Sequence, residues 1–431
     1  MQTLLTNAHV YIGNEFKASN VLIEDGLIRS VFEGQSSLCA EDACIYDMTG
    51  KYIFPGFVDV HVHFREPGFS YKETVETGSA AAAAGGYTDV CAMPNLDPVP
   101  DCPENLQKEL EIIKNTALIN VYPYGSMTVG EKGEQVSDIE QMAGDCIAFS
   151  DDGRGLAKDE LMFEALARAA KVDRPVAAHC EDMSVIGGSR VHDGKISDRL
   201  GIRGITSESE WKMINRDVGL VRKTGCKYHV CHVSTKESVE IIREAKADGV
   251  DITCETAPHY LLLSEADMIE ALKTESPAGL GRYKMNPPLR SEEDRKAILN
   301  ALLDGTIDMI ATDHAPHSDE EKAGGLFSGP MGVVGLECAF PVLYTELVKK
   351  DILKLNELVR LMSVAPAERF GIECGIGEGR TAKLCIYDLD EQYTVDPKTF
   401  RSKGRYTPFE GREVYGRCLM TVCGNRIYRF E

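Results

Sequence analysis

Eight short apolar segments, mostly separated by stretches of helical periodicity, constrain this chain more than any other feature. They are Gly56–His63, Thr88–Asn95, Ile119–Ser126, Cys146–Asp151, Pro175–Cys180, Lys227–Ser234, Asp251–His259 and Ile307–His314. Between them, runs such as Lys158–Lys171, Lys236–Asp248 and Glu292–Leu303 repeat apolar residues at helical spacing. A near-continuous apolar run suits a strand covered on both faces, and strand–helix alternation places such strands in a parallel sheet. Eight units predict an α/β fold, a (β/α)8 barrel of the TIM type carrying insertions.

The two ends of the chain have another rhythm. Val21-Leu22-Ile23, Leu27-Ile28 and Val31-Phe32 are short strand-like runs punctuated by Gly26 and Gly34. Lys383-Leu384-Cys385-Ile386-Tyr387 and Leu419-Met420-Thr421-Val422 repeat that pattern near the other end. Both ends are therefore expected to build one small β-sandwich domain, residues 1–54 with 375–431, beside a barrel of residues 55–374.

Composition narrows the function classes. A net charge of −21 repels a polyanion, so nucleic-acid binding is set aside. An anionic small molecule must then meet a local cluster of donors. No apolar run approaches the roughly 20 residues that span a bilayer, so no membrane association is expected. Met1–Val10 lacks the basic and apolar regions of a signal peptide. The 14 cysteines show no CxxC spacing and read as reduced thiols, which points to the cytoplasm.

In a (β/α)8 barrel, reactive groups sit where strands end. The first segment ends Asp59-Val60-His61-Val62-His63, and two-residue spacing on a strand puts both imidazoles on one face. Such a pair suits a divalent transition metal, although a hydrogen-bonded pair of core histidines has the same pattern. The fourth segment ends Ser150-Asp151-Asp152-Gly153. Asp151 is read as a carboxylate bridging two metals, against the alternative of a turn cap; Asp152, beside Gly153, is read as the cap. The fifth ends at His179. In the sixth, His229 and His232 differ in parity, and the terminal His232 is the better ligand. The eighth ends at Asp313, which can touch one metal while facing substrate; His314 and His317 fall in the following loop. His9, His192 and His259 are not recruited.

These residues resemble the amidohydrolase superfamily, and within it the dihydroorotases that carry Asp in place of a carboxylated Lys. The similarity rests on Pro55–Gly68, Ala82–Thr88, Met93-Pro94-Asn95, Phe149–Gly153, Ala178-His179-Cys180-Glu181, Met285–Arg290, Ala311–His317 and Lys403–Phe409. It implies two divalent ions, zinc by the family's habit. His61, His63 and Asp313 would hold one, His179 and His232 the other, and Asp151 would bridge. It assigns substrate contacts to His63, Arg65, Asn95, Asn286 and His317, and to the backbone at Met331 and Gly332. Leu96 and Met331 stand where the family usually has Thr and Phe.

The implied reaction is reversible hydrolysis of the cyclic amide of L-dihydroorotate to N-carbamoyl-L-aspartate, in pyrimidine biosynthesis. Asp313 would be the catalytic base and then acid. A homo-oligomer, a dimer, is expected, and association with aspartate transcarbamoylase is compatible with the chain. The rival readings are dihydropyrimidinase or hydantoinase, allantoinase, and a non-catalytic scaffold for the transcarbamoylase. The first three use a bridging lysine that the fourth segment lacks, and the scaffold would lack ligands. Gly324–Gly332, rich in glycine, reads either as a mobile lid or as a plain loop.

Overall fold

The computed structural model describes residues 2–34, 43–186 and 188–430. In chain order the strands are β1 Gln2–Ile12, β2 Glu15–Glu24, β3 Leu27–Phe32, β4 Cys44–Asp47, β5 Tyr52–Pro55, β6 Phe57–Val62, β7 Tyr87–Ala92, β8 Asn120–Pro123 and β9 Gly125–Ser126. There follow β10 Phe149–Ser150, β11 Val176–Ala178, β12 Tyr228–Val230, β13 Ile252–Thr256, β14 Met309–Ile310, β15 Lys383–Thr394, β16 Glu413–Cys423 and β17 Arg426–Arg429.

Strands β6 to β14 form the barrel. β6, β7 and β8 pair in parallel, and so do β9 through β14 in sequence. Tyr124 alone separates β8 from β9, and its N–H donates to Ala92 O at 2.9 Å, carrying the first sheet into the second. The ring closes where Val62 bridges His314 in parallel and His63 N donates to His314 O at 2.9 Å. Several strands are shorter than the apolar segments that contain them, because the chain bends into the mouth before each segment ends. Within Ile307–His314, for instance, only Met309–Ile310 is strand.

The covering helices follow from local sequence. Lys236–Ala247 begins at Thr235, whose side chain accepts from Ser238 N, and it buries Val239, Ile242 and Ala245 at helical spacing. Glu292–Leu303 opens with a reciprocal cap between Ser291 and Asp294. No helix of the described residues is long and apolar enough to cross a membrane. The described cysteines are unpaired.

Both ends of the chain meet in one eight-stranded sheet, ordered β17-β16-β15-β5-β1-β2-β3, with β4 pairing β1. Its core holds Leu5, Val10, Ile53, Leu384, Ile386 and Val422. Tilted aromatic pairs fasten it to the barrel: the Phe54 ring centre lies 5.4 Å and that of Tyr387 4.4 Å from that of Phe340. Lys383 Nζ reaches the buried Asp89 carboxylate at 2.7 Å, so the joint is polar as well as apolar.

Candidate functional site

The mouth of the barrel collects imidazoles and carboxylates from five strand ends. Asp152 lies at their centre. Its Oδ1 stands 3.3 Å from His61 Nε2, 3.6 Å from His232 Nε2 and 3.7 Å from His179 Nδ1, and its Oδ2 stands 3.5 Å from His63 Nε2. Asp313 Oδ1 closes the group, 3.2 Å from His63 Nε2 and 3.6 Å from His61 Nε2. His179 Nδ1 and His232 Nε2 are 2.9 Å apart. All six side chains are buried.

The expectation for the fourth strand is corrected here. Asp151, read from sequence as the bridging carboxylate, faces away from the histidines. Its Oδ1 accepts from Met127 N at 2.7 Å and Thr128 N at 3.0 Å, and its Oδ2 accepts from the Thr128 hydroxyl. Alternation explains the exchange. Ala148 packs inside the barrel with Cys91, Ala177, Cys231 and Ala311, whereas Phe149 packs outward in the helical layer. Asp151 shares the parity of Phe149, and Asp152 that of Ala148. The large outward Phe149 was the available signal. Asp152, read as a turn cap, takes the central place instead.

Strict alternation also fails to account for His232, which has the parity opposite to the inward Cys231. It enters the site because its backbone is left-handed, φ 35°, and Asp313 (φ 49°) and Arg65 (φ 60°) share that rare conformation. His229, which is not at the strand end, is a satisfied core histidine. Its rings' nitrogens bond Thr253 Oγ1 at 2.8 Å and Glu255 Oε2 at 3.1 Å.

Glu255 and Glu181 carry orienting roles that sequence reasoning did not assign. His61 donates from Nδ1 to Glu255 Oε1 at 2.7 Å, which leaves Nε2 bare toward Asp152. His179 Nε2 meets Glu181 Oε2 at 3.1 Å, leaving Nδ1 toward Asp152. A carboxylate behind an imidazole fixes both its tautomer and its direction. Burial pushes the Glu255 carboxyl upward, yet His61 and His229 hold it down at about 2. Burial likewise opposes the charge on Asp152, and His61 and its neighbours still carry that carboxyl well below its usual value. Asp313 differs: burial raises it to about 7 despite His61.

The donor set fits divalent cations. His61 Nε2 and Asp152 Oδ1 are buried without a hydrogen-bond partner in the protein. Among the described residues, the groups His61–Asp152–His232 and His61–His63–Asp313 each bring three ligand-type atoms within 4.8 Å of one another. Among the described residues no lysine or arginine forms an ion pair with either aspartate at the centre, so the cluster has the charge and the ligand atoms that could hold a metal ion.

This cluster floors a cavity of about 1030 Å³. Arg65, Asn95, Asn286, His317, Met331 and Gly332 line it, as the sequence reading expected of substrate contacts. Arg65 Nε donates to Pro316 O at 3.3 Å, and among the described residues no carboxylate pairs with its guanidinium. Asn286 donates to Glu181 Oε2 at 2.9 Å and Asn95 to Asp152 O, while both amide oxygens lack partners. His317, held neutral by burial and by Arg65 at a value of about 2, donates from Nε2 to Met331 O at 2.8 Å. Leu96 is buried against the same wall.

Known proteins agree with this architecture. The dihydro-orotase-like family profile matches residues 50–238. Proteins named dihydroorotase from Bacillus cereus and Bacillus anthracis are 48% identical over 421 residues, covering 97% of this chain and 96% of theirs. Among solved structures, the L-hydantoinase (dihydropyrimidinase) of Arthrobacter aurescens superposes with a TM-score of 0.85 at 25% identity. That match covers 99% of this chain and 95% of the other, and a dihydropyrimidinase from Brevibacillus agri gives the same figures. Hydantoinases thus share the fold, while near-full-length identity singles out one branch: the chain belongs to the dihydroorotase family of metal-dependent cyclic amidohydrolases.

Proposed function

We propose that this chain reversibly hydrolyses the cyclic amide of L-dihydroorotate to N-carbamoyl-L-aspartate. The observation that carries the reading is the Asp152 carboxylate set among four buried imidazoles, with Asp313 beside it on the floor of a cavity rimmed by Arg65. His61, His63 and Asp313 would hold one divalent ion and His179 and His232 a second, with Asp152 between them; zinc suits this His/Asp set. Such ions supply a water acidified toward neutrality and polarise the amide carbonyl.

The chain's own groups do the rest. Asp313 takes the proton of the attacking water and gives it to the departing amide nitrogen, so it serves as base and then acid. In ring closure the same carboxyl starts protonated: it protonates a side-chain carboxylate oxygen of carbamoyl-aspartate as the ureido nitrogen attacks that carbon, then passes the nitrogen's proton to the same oxygen, which leaves as water as the C–O bond breaks. Arg65 offers an unpaired planar fork to the substrate's remaining carboxylate. The unpartnered amide oxygens of Asn95 and Asn286 accept from substrate N–H groups. Glu255 and Glu181 keep His61 and His179 aimed throughout.

The absence of a lysine at the end of β10, where Ser150-Asp151-Asp152 stands, weighs against the hydantoinase and allantoinase readings. The full donor set weighs against a silent scaffold. Cytoplasmic placement, a dimer and association with aspartate transcarbamoylase accompany the proposal. The deciding experiment assays dihydroorotate, dihydrouracil and allantoin before chelation, after it, and after zinc is returned. Turnover of dihydroorotate should vanish on chelation and recover with zinc. Preference for either other substrate, or indifference to chelation, refutes the reading.

A further inference from the structure

Between the short helices and β15, the segment Gly329-Pro330-Met331-Gly332 lines the cavity opposite the metal-type cluster. It belongs to neither helix nor strand. Yet all four of its consecutive carbonyls are taken by side-chain donors. Lys284 Nζ donates to Gly329 O. Lys322 Nζ donates to Pro330 O at 3.2 Å and to Gly332 O at 2.8 Å. His317 Nε2 donates to Met331 O at 2.8 Å. Lys322 also reaches Lys284 O at 3.4 Å, whose carbonyl accepts from Gly332 N at 2.9 Å.

Lys322 is 1% exposed, and among the described residues no carboxylate pairs with it. An ammonium buried without a counter-charge is costly, and burial lowers its basicity to about 7. Its three donors meet three carbonyls, two of them in this wall and the third that of Lys284, and the ammonium also lies 5.7 Å from the centre of the Tyr406 ring. Lys322 and His317 also come from one stretch: Ser318 directly follows His317 and caps the helix Asp319–Lys322. The loop after β14 and the 329–332 wall are thus tied by residues five apart in one stretch. The wall is close to the loop after β14 as well. A Cβ on Gly332, where φ is +133°, would lie 2.6 Å from Ala315 O.

We infer that Lys322, assisted by Lys284, is a positioning residue for substrate: it draws the 329–332 carbonyls outward and holds Met331 and Gly332 at a fixed distance from Asp313 and Arg65. The Met331 N–H donates to no group among the described residues, which leaves it for the ligand. The glycine-rich stretch is therefore a clamped wall and not a free lid. This inference rests on the dihydroorotate reading, because it assigns the wall to binding of that substrate.

The test uses the zinc-loaded protein and its variants Lys322→Met and Lys284→Met. Loss of uniform binding raises KM and spares kcat. Lys322→Met should raise KM for dihydroorotate about tenfold, with kcat within about threefold and zinc content unchanged; Lys284→Met should raise KM about threefold. A purely structural lysine would lower kcat through lost active protein at constant KM, and that result overturns the inference. If Lys322→Met does not fold, Lys284→Met decides by the same KM criterion. Limited proteolysis is independent of turnover: residues 325–332 should resist cleavage in the wild type and be cut in a folded variant. Equal resistance overturns the clamp. Should the wild type not turn over dihydroorotate at all, the functional reading fails, and proteolysis alone still decides the clamp.

Discussion

The barrel mouth and the terminal sheet spend backbone strain differently. In the sheet and its turns, left-handed non-glycine positions fall to Asn7, Asn14 and Asp25, residue types that tolerate that conformation. At the mouth they fall to Arg65, His232 and Asp313, and His232 at φ 35° is far from any comfortable choice. The polar groups differ likewise. The sheet pairs its charges through hydrogen bonds, as in Lys51–Asp388, whereas among the described residues the mouth buries His61 Nε2 and Asp152 Oδ1 without a hydrogen-bond partner. Strain and unsatisfied acceptors together mark where a fold gives up stability for chemistry. Stability and activity should therefore separate between the two regions.

The sharpest break of that contrast lies in adjacent residues. Asp152→Ala should abolish bound metal and cut kcat/KM by at least about a thousandfold, with little loss of thermal stability, because it removes a desolvated charge. Asp151→Ala should do the reverse. It strips the acceptor from Met127 N, Thr128 N and the Thr128 hydroxyl, costing about 2–3 kcal/mol, while metal content stays near wild type. Metal analysis and thermal melts on both variants read the two effects. If Asp151→Ala loses the metal and Asp152→Ala keeps it, the central carboxylate has been misassigned.

That pair also shows where sequence legibility stops. The strand–helix rhythm exposed the barrel, and strand ends located His61, His63, His179, His232 and Asp313, because a (β/α)8 fold leaves its last strand residues facing the mouth. Choosing between two neighbouring aspartates needed parity, which Phe149 carried but the assumption that the segment ends at Asp151 concealed. His232 stands in the cluster at the end of its segment, although only a left-handed turn brings it in against alternation. Glu255 and Glu181 act through contacts 194 and 2 residues away in sequence, and neither spacing announces an orienting carboxylate. Lys284 and Lys322 were illegible for another reason. Lysine is ordinarily a surface residue, and nothing in the sequence foretells a buried ammonium whose partners are backbone carbonyls.

A smaller effect belongs to the core of the sheet. Leu384 is fully buried in the cluster with Ile53 and Ile386, so Leu384→Ala should cost about 2–5 kcal/mol through lost burial and a cavity. Per folded molecule, kcat and KM for dihydroorotate should match wild type, since no cavity residue is displaced. Denaturant melts beside active-site titration check both halves. A changed KM would mean that the neighbouring Lys383–Asp89 bond transmits sheet packing into the barrel, which would blur the division between the regions.

The least effect is expected at Lys51, whose ammonium bonds Asp388 between β5 and β15 and so joins the two ends of the chain. The side chains are 30% and 18% exposed, so solvent weakens the attraction and ordering a long lysine opposes it. Lys51→Met should therefore cost only about 0.2–1 kcal/mol, and the difference should shrink in high salt. The direction with pH follows from Asp388. Burial raises its carboxyl, but the Lys51 hydrogen bond and the backbone bring it below the ordinary 3.8. A carboxyl lowered on folding adds stability above its unfolded value and loses it as acid protonates the folded group. The gap between wild type and variant should thus be full at neutral pH and disappear as acid protonates the folded carboxyl, at a pH below its ordinary 3.8. A gap that persists in acid would show that the lysine acts by packing its methylene chain against Tyr52 and its neighbours, and that the sheet, like the mouth, uses a charged residue for something other than its charge.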